Sequence, residues 1–538
     1  MYLERICRKH GKKRYVSTLI RESYRDKGKV KHRTLATLSK LPANIIKGIE
    51  ALLSNAKTCL QKLDGIEIKN SREYGASNAF MNLAKQLKLD KIIYSRKTRW
   101  RQDILAMIVG RVIYQGSKLH LTHLYRDSIL WELAGFKGKD CPDVTKHCYE
   151  PLDKLLARQK VIQAELAKKH LKNSAIILYD ITSSYLEGVY KNSKLVEFGY
   201  SRDQKRGHEQ IVIGLLANEN GCPVAVEVFR GNTSDQATVL GQAKKLANDY
   251  KVKEVIFVED RGMLTPKRIE EVNQIGYKTL AVLNRNQLKD LVQRGVINAD
   301  QFAYKDIVEV NDPKDLSVRY CLCKNPEREI ESKTTRNDLI KKTKEALETM
   351  STKGNEQKKC ARVGKILAKY KAGKFFTWTF RNNQLEFQVD DNKVKAEENY
   401  DGCYVVRTDS VLNKYDAVKG YKGLMQIERA FRNMKTMSIE IRPIYHQLDK
   451  RIEAHVFLCM LAYYLEWQAL QRLQPLFAQD GKGAQRRFSF ARVVERLKSI
   501  RIQDCSLNAI KISGVISTPD KEQQKILDLL RCSQKCEI

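Results

Sequence analysis

The chain has 538 residues, enough for a sizeable core and, at ordinary domain sizes, for about three or four domains. Its 98 Lys plus Arg stand against 63 Asp plus Glu, a formal charge of +35 that favours a polyanionic partner, nucleic acid first. Length and charge together exclude a small stapled scaffold.

Thirteen cysteines without a secretory signal at Met1-Tyr2-Leu3-Glu4-Arg5 suggest reduced thiols in a cytosolic protein. The closest spacings, such as Cys321 with Cys323 and Cys532 with Cys536, lack the paired pattern of a structural zinc site. The apolar stretch Ala454 to Trp467 contains His455 and Glu466 and is too short to span a bilayer, so it reads as a buried helix.

In chain order, the first 40 residues carry 13 Lys/Arg against 3 Asp/Glu and suggest a basic hairpin, with strands at Tyr15 to Tyr24 and Val30 to Leu38. Residues from about Pro42 to Lys172 read as mostly helical, with Ile104, Met107, Ile108 and Val112 on one face. From Ser174 to Leu283 short apolar runs take over: Ala175 to Ile181, Gln210 to Ala217, Pro223 to Phe229, Glu254 to Asp260 and Lys278 to Leu283. Helices fit near Asp235 to Tyr250 and Thr265 to Ile275. Strand, strand, strand, helix, strand, helix, strand is the order of an RNase H-like fold, in which the first and fourth strands are neighbours.

Residues from about Asn284 to Glu398 break that rhythm. A lysine-rich helical stretch, Lys333 to Tyr370, precedes strand-like Phe375 to Arg381 and Leu385 to Val389, and an insertion explains this most simply. A strand at Cys403 to Arg407, a helical stretch from Tyr421 and a long helix from His446 to about Leu473 follow; the tail beyond Gln474 reads as polar, basic and weakly structured. The expected architecture is α/β: a basic N-terminal hairpin and helix over 1–70, a helical region over 71–173, an RNase H-like core over 174–283 and 401–475, an insertion domain over 284–400 and a basic tail over 476–538.

Three carboxylates stand out. Asp180 and Asp260 each close an apolar strand, where α/β sheets place their sites, and Glu428 lies in a helical stretch. At 3.6 residues per turn Tyr421, Leu424, Glu428 and Lys435 fall on one stripe, offering a hydroxyl, a carboxylate and an ammonium in a row. Taken singly, Asp180 and Asp260 are ordinary turn or cap residues and Glu428 a solvated helix residue; their joint placement gives them a common purpose.

The sequence resembles DDE transposases of bacterial insertion sequences, in the cut-and-paste group with a Tyr-x2-Arg-x3-Glu-x6-Lys signature. Tyr421, Glu428 and Lys435 match it, whereas Leu424 occupies the arginine position; Lys422 or Arg432 could substitute. Tyr179-Asp180-Ile181-Thr182, Gly231-Asn232-Thr233-Ser234, Glu259-Asp260-Arg261-Gly262-Met263 and Arg451-Ile452-Glu453-Ala454-His455 also resemble the family. The similarity runs from about residue 10 to about 475.

The resemblance implies a catalytic triad of Asp180, Asp260 and Glu428 holding Mg²⁺ or Mn²⁺, with two ions expected, and an insertion before the last carboxylate. Two ions roughly 3.5–4 Å apart stabilise both attacking and leaving oxygens of a phosphodiester, and hard cations prefer oxygen ligands. It further implies binding of double-stranded DNA (transposon ends and target), a homodimer or larger synaptic complex, and a DNA-associated, cytoplasmic, bacterial setting with no membrane contact; a hairpin at the transposon end belongs to the same inference.

Other candidates are weighed against plainer roles. Arg451 and His455 are i, i+4 neighbours that either touch DNA or brace Glu428, the second favoured. Related enzymes use an insertion tryptophan to stack a flipped base, which makes Trp378 a candidate, although an aromatic core strand is the commoner use. The basic hairpin would contact phosphates and position DNA without specifying sequence. Rival functions are a decayed DNA-binding repressor, suggested by Leu424, and an RNase H-like structure-selective nuclease that does not transfer strands.

Overall fold

The computed structural model describes residues 1–538 except 11–12, 27, 55–65, 172–174, 204, 206, 260–262, 264, 304–305, 352, 382–383, 438, 479–486, 508–509 and 533–538. The chain forms two compact units, Met1–Pro151 with Leu465–Ile538, and Leu152–Tyr464.

The first unit opens with an antiparallel sheet of β1 (Tyr2–His10), β2 (Lys13–Asp26) and β3 (Lys29–Thr37). The expected hairpin is present as β2 and β3, and β1 adds a third strand, with Tyr2 opposite Arg21 and His10 opposite Lys13. Charged Glu4, Arg5, Arg8 and Lys9 interrupt the alternation by which a half-buried strand is recognised. Every residue of β3 is exposed. Beyond a helix at Ala43–Ser54 comes β4 (Ile66–Glu73), within a region read as helical, and then the Gly75–Gln86 and Arg99–Ile113 helices, whose Phe80, Leu83, Ile104 and Ile108 are fully buried.

The second unit is built on an eight-stranded mixed sheet. Its strands are β5 (Ala175–Tyr185), β6 (Gln210–Asn218), β7 (Pro223–Arg230), β8 (Val255–Glu259), β9 (Lys278–Val282), β10 (Val308–Asn311), β11 (Arg319–Lys324) and, after a separate β12 (Phe376–Arg381) and β13 (Gln384–Val389) hairpin, β14 (Cys403–Thr408). The order is β10-β11-β14-β9-β8-β5-β6-β7. The first and fourth strands, β5 and β8, are parallel neighbours, with Leu178 opposite Val258. The Asp235–Asn248 and Pro266–Gln274 helices fall in the expected places. Thr265 starts the latter as its cap, accepting from the Arg268 amide, with Pro266 in the first turn where no amide hydrogen is needed.

The excursion from the sheet is shorter than the expected 284–400. β10 and β11 extend the sheet itself, β11 pairing with β14 from Arg319 opposite Thr408 to Lys324 opposite Cys403. What leaves is the segment between those two strands: the Pro326–Glu348 and Glu356–Tyr370 helices, the β12–β13 hairpin and the Asp391–Glu398 helix. It has its own core of Leu347, Val363, Ala372, Phe375 and Phe376. Asn325 N donates to Gly402 O at 2.9 Å where the two ends meet.

Beyond residue 474 the described chain is ordered, contrary to the weakly structured tail expected. After the Asp449–Ala478 helix come the Phe490–Lys498 helix, β15 (Arg501–Leu507), β16 (Ile510–Ile516) and the Lys521–Leu529 helix. β15 sits between β16 and β4 in one antiparallel sheet of the first unit. A strand whose partner lies more than four hundred positions away carries no local sign of that pairing.

Candidate active site

Asp180 stands on β5 with Thr182, two residues on and therefore on the same face. The strand buries Ile177, Leu178 and Tyr179 completely, while Asp180 is half-buried and its Oδ1 accepts from the Ile181 amide at 2.8 Å. Asp260 follows the last residue of β8 and lies outside the described residues.

Glu428 comes from a helix laid against β5, but not the single helix expected. One helix covers Lys414–Lys422, a second Leu424–Arg432, and a wider π-turn follows at Asn433–Met437. Gly423 lies between the two helices, and its lack of a side chain has a packing cause: a Cβ there would lie 2.9 Å from the Gly420 carbonyl oxygen and 3.3 Å from Leu178 Cδ2. Tyr421 therefore belongs to the first helix, where its ring meets Tyr404 at 6.1 Å between centroids. Leu424 is buried with Ile427, Ala430 and Phe431, whereas Glu428 is exposed, so the straight stripe from Tyr421 to Lys435 is corrected to a bent path.

Asp180 and Glu428 open on one concavity of about 290 Å³, lined also by Ile181, Thr182, Asp203, Phe431, Arg432, Lys435 and Arg442. Lys435 Nζ donates to Thr182 Oγ1 at 2.8 Å and to Asp203 Oδ1 at 2.6 Å. Arg442 donates to the other oxygen of Asp203 at 3.2 Å, and its guanidinium carbon lies 4.4 Å from the centroid of the Tyr185 ring. Burial holds the Lys435 ammonium below its ordinary range; Asp203 opposes that, while Arg442 and Arg202 reinforce it.

The remaining candidates fall in several places. Arg432 lines the concavity; Lys422 is exposed and does not. Arg451 faces Asp153 at 3.6 Å. His455 is buried and its Nε2 lies 2.9 Å from the Ile441 carbonyl, bracing the residue before Arg442 rather than presenting a surface. Trp378 sits on the β12–β13 hairpin with about a third of its area exposed, its ring edge-on to Phe380, and not in the core of the excursion.

Four residues at the site escaped the sequence. Thr182 had a readable signal, its two-residue spacing from Asp180. Asp203 lies on a turn between β5 and β6, and Arg442 follows the π-turn outside any helix, so neither has a periodicity to mark it. Glu259 is fully buried, and its two oxygens have no hydrogen-bond partner among the described residues. Burial, reinforced by the charge of Asp180, pushes its carboxyl well above the usual carboxylate range.

Asp180 and Glu428 supply the hard oxygen donors that Mg²⁺ or Mn²⁺ takes. Among the described residues no three His, Cys, Asp or Glu side chains gather closely enough to hold an ion.

No curated protein matches the chain. Residues 3–61 match the family described as IS1634 family transposase, N-terminal domain, and residues 174–465 match the Transposase DDE domain. The DDE match spans the whole mixed sheet, from β5 to the helix after Arg442, and thus every residue lining the concavity. Covering more than half of the chain, it shows that this protein belongs to the DDE transposases of insertion sequences, enzymes that cleave and transfer DNA strands.

Proposed function

We propose that this transposase binds the terminal inverted repeats of its own element and moves it by cut-and-paste, cleaving the strands at the ends and joining them to target DNA. The observation that carries this reading is the shared concavity of Asp180 and Glu428, flanked by the paired cations Lys435 and Arg442. Carboxylates for metal and cations for phosphate are what strand cleavage on an RNase H-like core requires.

Asp180 and Glu428, with Asp260 beyond the end of β8, would hold two Mg²⁺ or Mn²⁺ ions. Bound there, such ions stabilise charge on the attacking and leaving oxygens of the phosphodiester. Lys435 and Arg442 grip the non-bridging oxygens of the DNA strand, and Thr182 fixes the direction of the Lys435 ammonium. In the first step water attacks the phosphorus at the element's end and the 3′ oxygen leaves, taking up a proton as a 3′ hydroxyl; in the second that 3′ hydroxyl, losing its proton, attacks a target phosphate, whose bond to the target strand's own 3′ oxygen breaks. No side chain becomes covalently attached to DNA.

The missing signature arginine at Leu424 prompted the reading of a decayed, non-cutting relative. Arg442 places a guanidinium beside Lys435 in the same concavity, which favours a competent site. The exposed β3, carrying Lys29, Lys31 and Arg33, supports phosphate contacts by the N-terminal sheet. Holding two ends calls for a dimer or larger synaptic complex.

The test uses DNA bearing the inverted repeats that flank the coding region, with Mg²⁺ and a target plasmid. Wild type is expected to cut at the repeat ends and join them to the plasmid, and Asp180→Ala to do neither. Cleavage that survives in Asp180→Ala overturns the site, and cutting without joining identifies a nuclease instead.

A further inference from the structure

We infer that Lys435, Arg442 and Thr182 form one phosphate-binding subsite, and that the Asp203 carboxylate fills it in the free protein until a DNA phosphate displaces it. The inference rests on the DNA-binding part of the reading above, not on cleavage.

Its first support is convergence. A π-turn lysine and an arginine seven positions later meet at one carboxylate, with Lys435 on Asp203 Oδ1 at 2.6 Å and Arg442 on Oδ2 at 3.2 Å, and a β5 hydroxyl, Thr182 Oγ1, accepts from the same lysine at 2.8 Å. The Arg442 guanidinium is further held by its stacking on Tyr185. A donor set that grips both oxygens of a carboxylate suits the non-bridging oxygens of a phosphodiester equally well.

Its second support is charge. The Lys435 and Arg442 side chains keep only 10% and 15% of their exposure, and cations so far withdrawn from water need a counter-charge. Asp203 is the carboxylate paired with both. Arg202, whose charge also reaches Lys435, has its own partner in Asp235. A phosphodiester carries the same single negative charge as Asp203, so exchange preserves the local balance.

Its third support is placement. Asp203 sits on a turn between β5 and β6, whereas Thr182 and Lys435 sit on a strand and a helical turn. The displaceable partner is on the loop and the fixed partners are on the scaffold. The concavity that holds them is also lined by Asp180 and Glu428, so a phosphate seated there adjoins the catalytic carboxylates. Each DNA strand must then compete with a built-in occupant, which weakens casual binding.

The test measures binding of a duplex of arbitrary sequence in EDTA. Asp203→Asn is expected to lower Kd about tenfold, the scale of one charge-assisted hydrogen bond no longer opposed. Asp300→Asn, the same charge change at an exposed position, should stay within about twofold of wild type. The gain from Asp203→Asn should vanish when Arg442→Gln is added. Duplex should also raise the melting temperature of Asp203→Asn more than that of wild type, and a variant unfolded without DNA should fold on adding it.

Unchanged or weaker binding by Asp203→Asn, or no extra stabilisation by duplex, overturns the subsite. A wild type that binds DNA yet never cuts defeats the transposition reading and leaves the subsite standing. A wild type that cuts while Asp203→Asn gains nothing defeats the subsite alone.

Discussion

Leu178 of β5 lies directly opposite Val258 of β8 in a parallel pair, and in the sequence an aspartate follows each by two positions, Asp180 and Asp260. Parallel register of this kind carries both chains in the same direction toward the same edge of the sheet. Equal standing of the two aspartates is the first prediction. Asp260→Asn should reduce metal-dependent cleavage of element-end DNA as severely as Asp180→Asn, by roughly 10³-fold or more, given the several kcal/mol at stake in metal-assisted charge stabilisation. Binding of uncut duplex in EDTA should remain. Cleavage at near-normal rates by Asp260→Asn would remove that residue from the triad.

The excursion between β11 and β14 is pinned by an ion pair removed from water. Arg336 donates to both oxygens of Asp401, at 2.9 and 2.7 Å, and to Glu398 at 3.0 Å, with the Arg336 and Asp401 side chains each about 5% exposed. Removing one member leaves the other charge buried and uncompensated, a loss of about 3–5 kcal/mol. Arg336→Met should show that loss in chemical denaturation and open the segment 325–402 to limited proteolysis. A variant as stable and as resistant as wild type would refute the assignment.

Stability should also respond to pH through His170. Its Nε2 lies 2.9 Å from the Tyr464 hydroxyl, and burial, helped by the neighbouring Lys169 charge, lowers its pKa from 6.5 to about 4. The folded protein thus binds fewer protons here than the unfolded chain. The contribution of His170 is complete above about pH 6.5 and is lost progressively as pH falls toward 4. His170→Gln should flatten the pH dependence of unfolding in that window. Parallel curves for the two proteins would place the titration elsewhere.

Much of the second unit was legible from local pattern. The apolar runs at Ala175 and Val255 became β5 and β8 because strands buried on both faces read as continuous hydrophobic segments. Asp180 stood out as a carboxylate closing an apolar run, and Glu428 through its spacing from Tyr421 and Lys435. What escaped depended on partners distant in sequence. Arg319–Lys324 looked like part of an insertion until its pairing with β14 placed it in the sheet, and Arg501–Leu507 finds its neighbour only in β4. The stripe from Tyr421 to Lys435 failed since a helical wheel assumes unbroken turns, whereas Gly423 and the π-turn each change the phase. Asp203 and Arg442 act from loops, and loops have no period.

The close approach of Asn325 and Gly402 makes the excursion a bulb on a narrow stem. Its ends already sit at hydrogen-bonding distance where neighbouring strands stop, so a change of length at its far side leaves the β11–β14 pairing intact, while Glu397 and Tyr400 tie its near side to Arg285 and Lys289. Natural drift can therefore reshape the far side of that bulb while the spatial bearing of Glu428 toward Asp180 stays constant, and an exchange between relatives at Lys324 and Cys403 has to carry matching partners for Arg285 and Lys289.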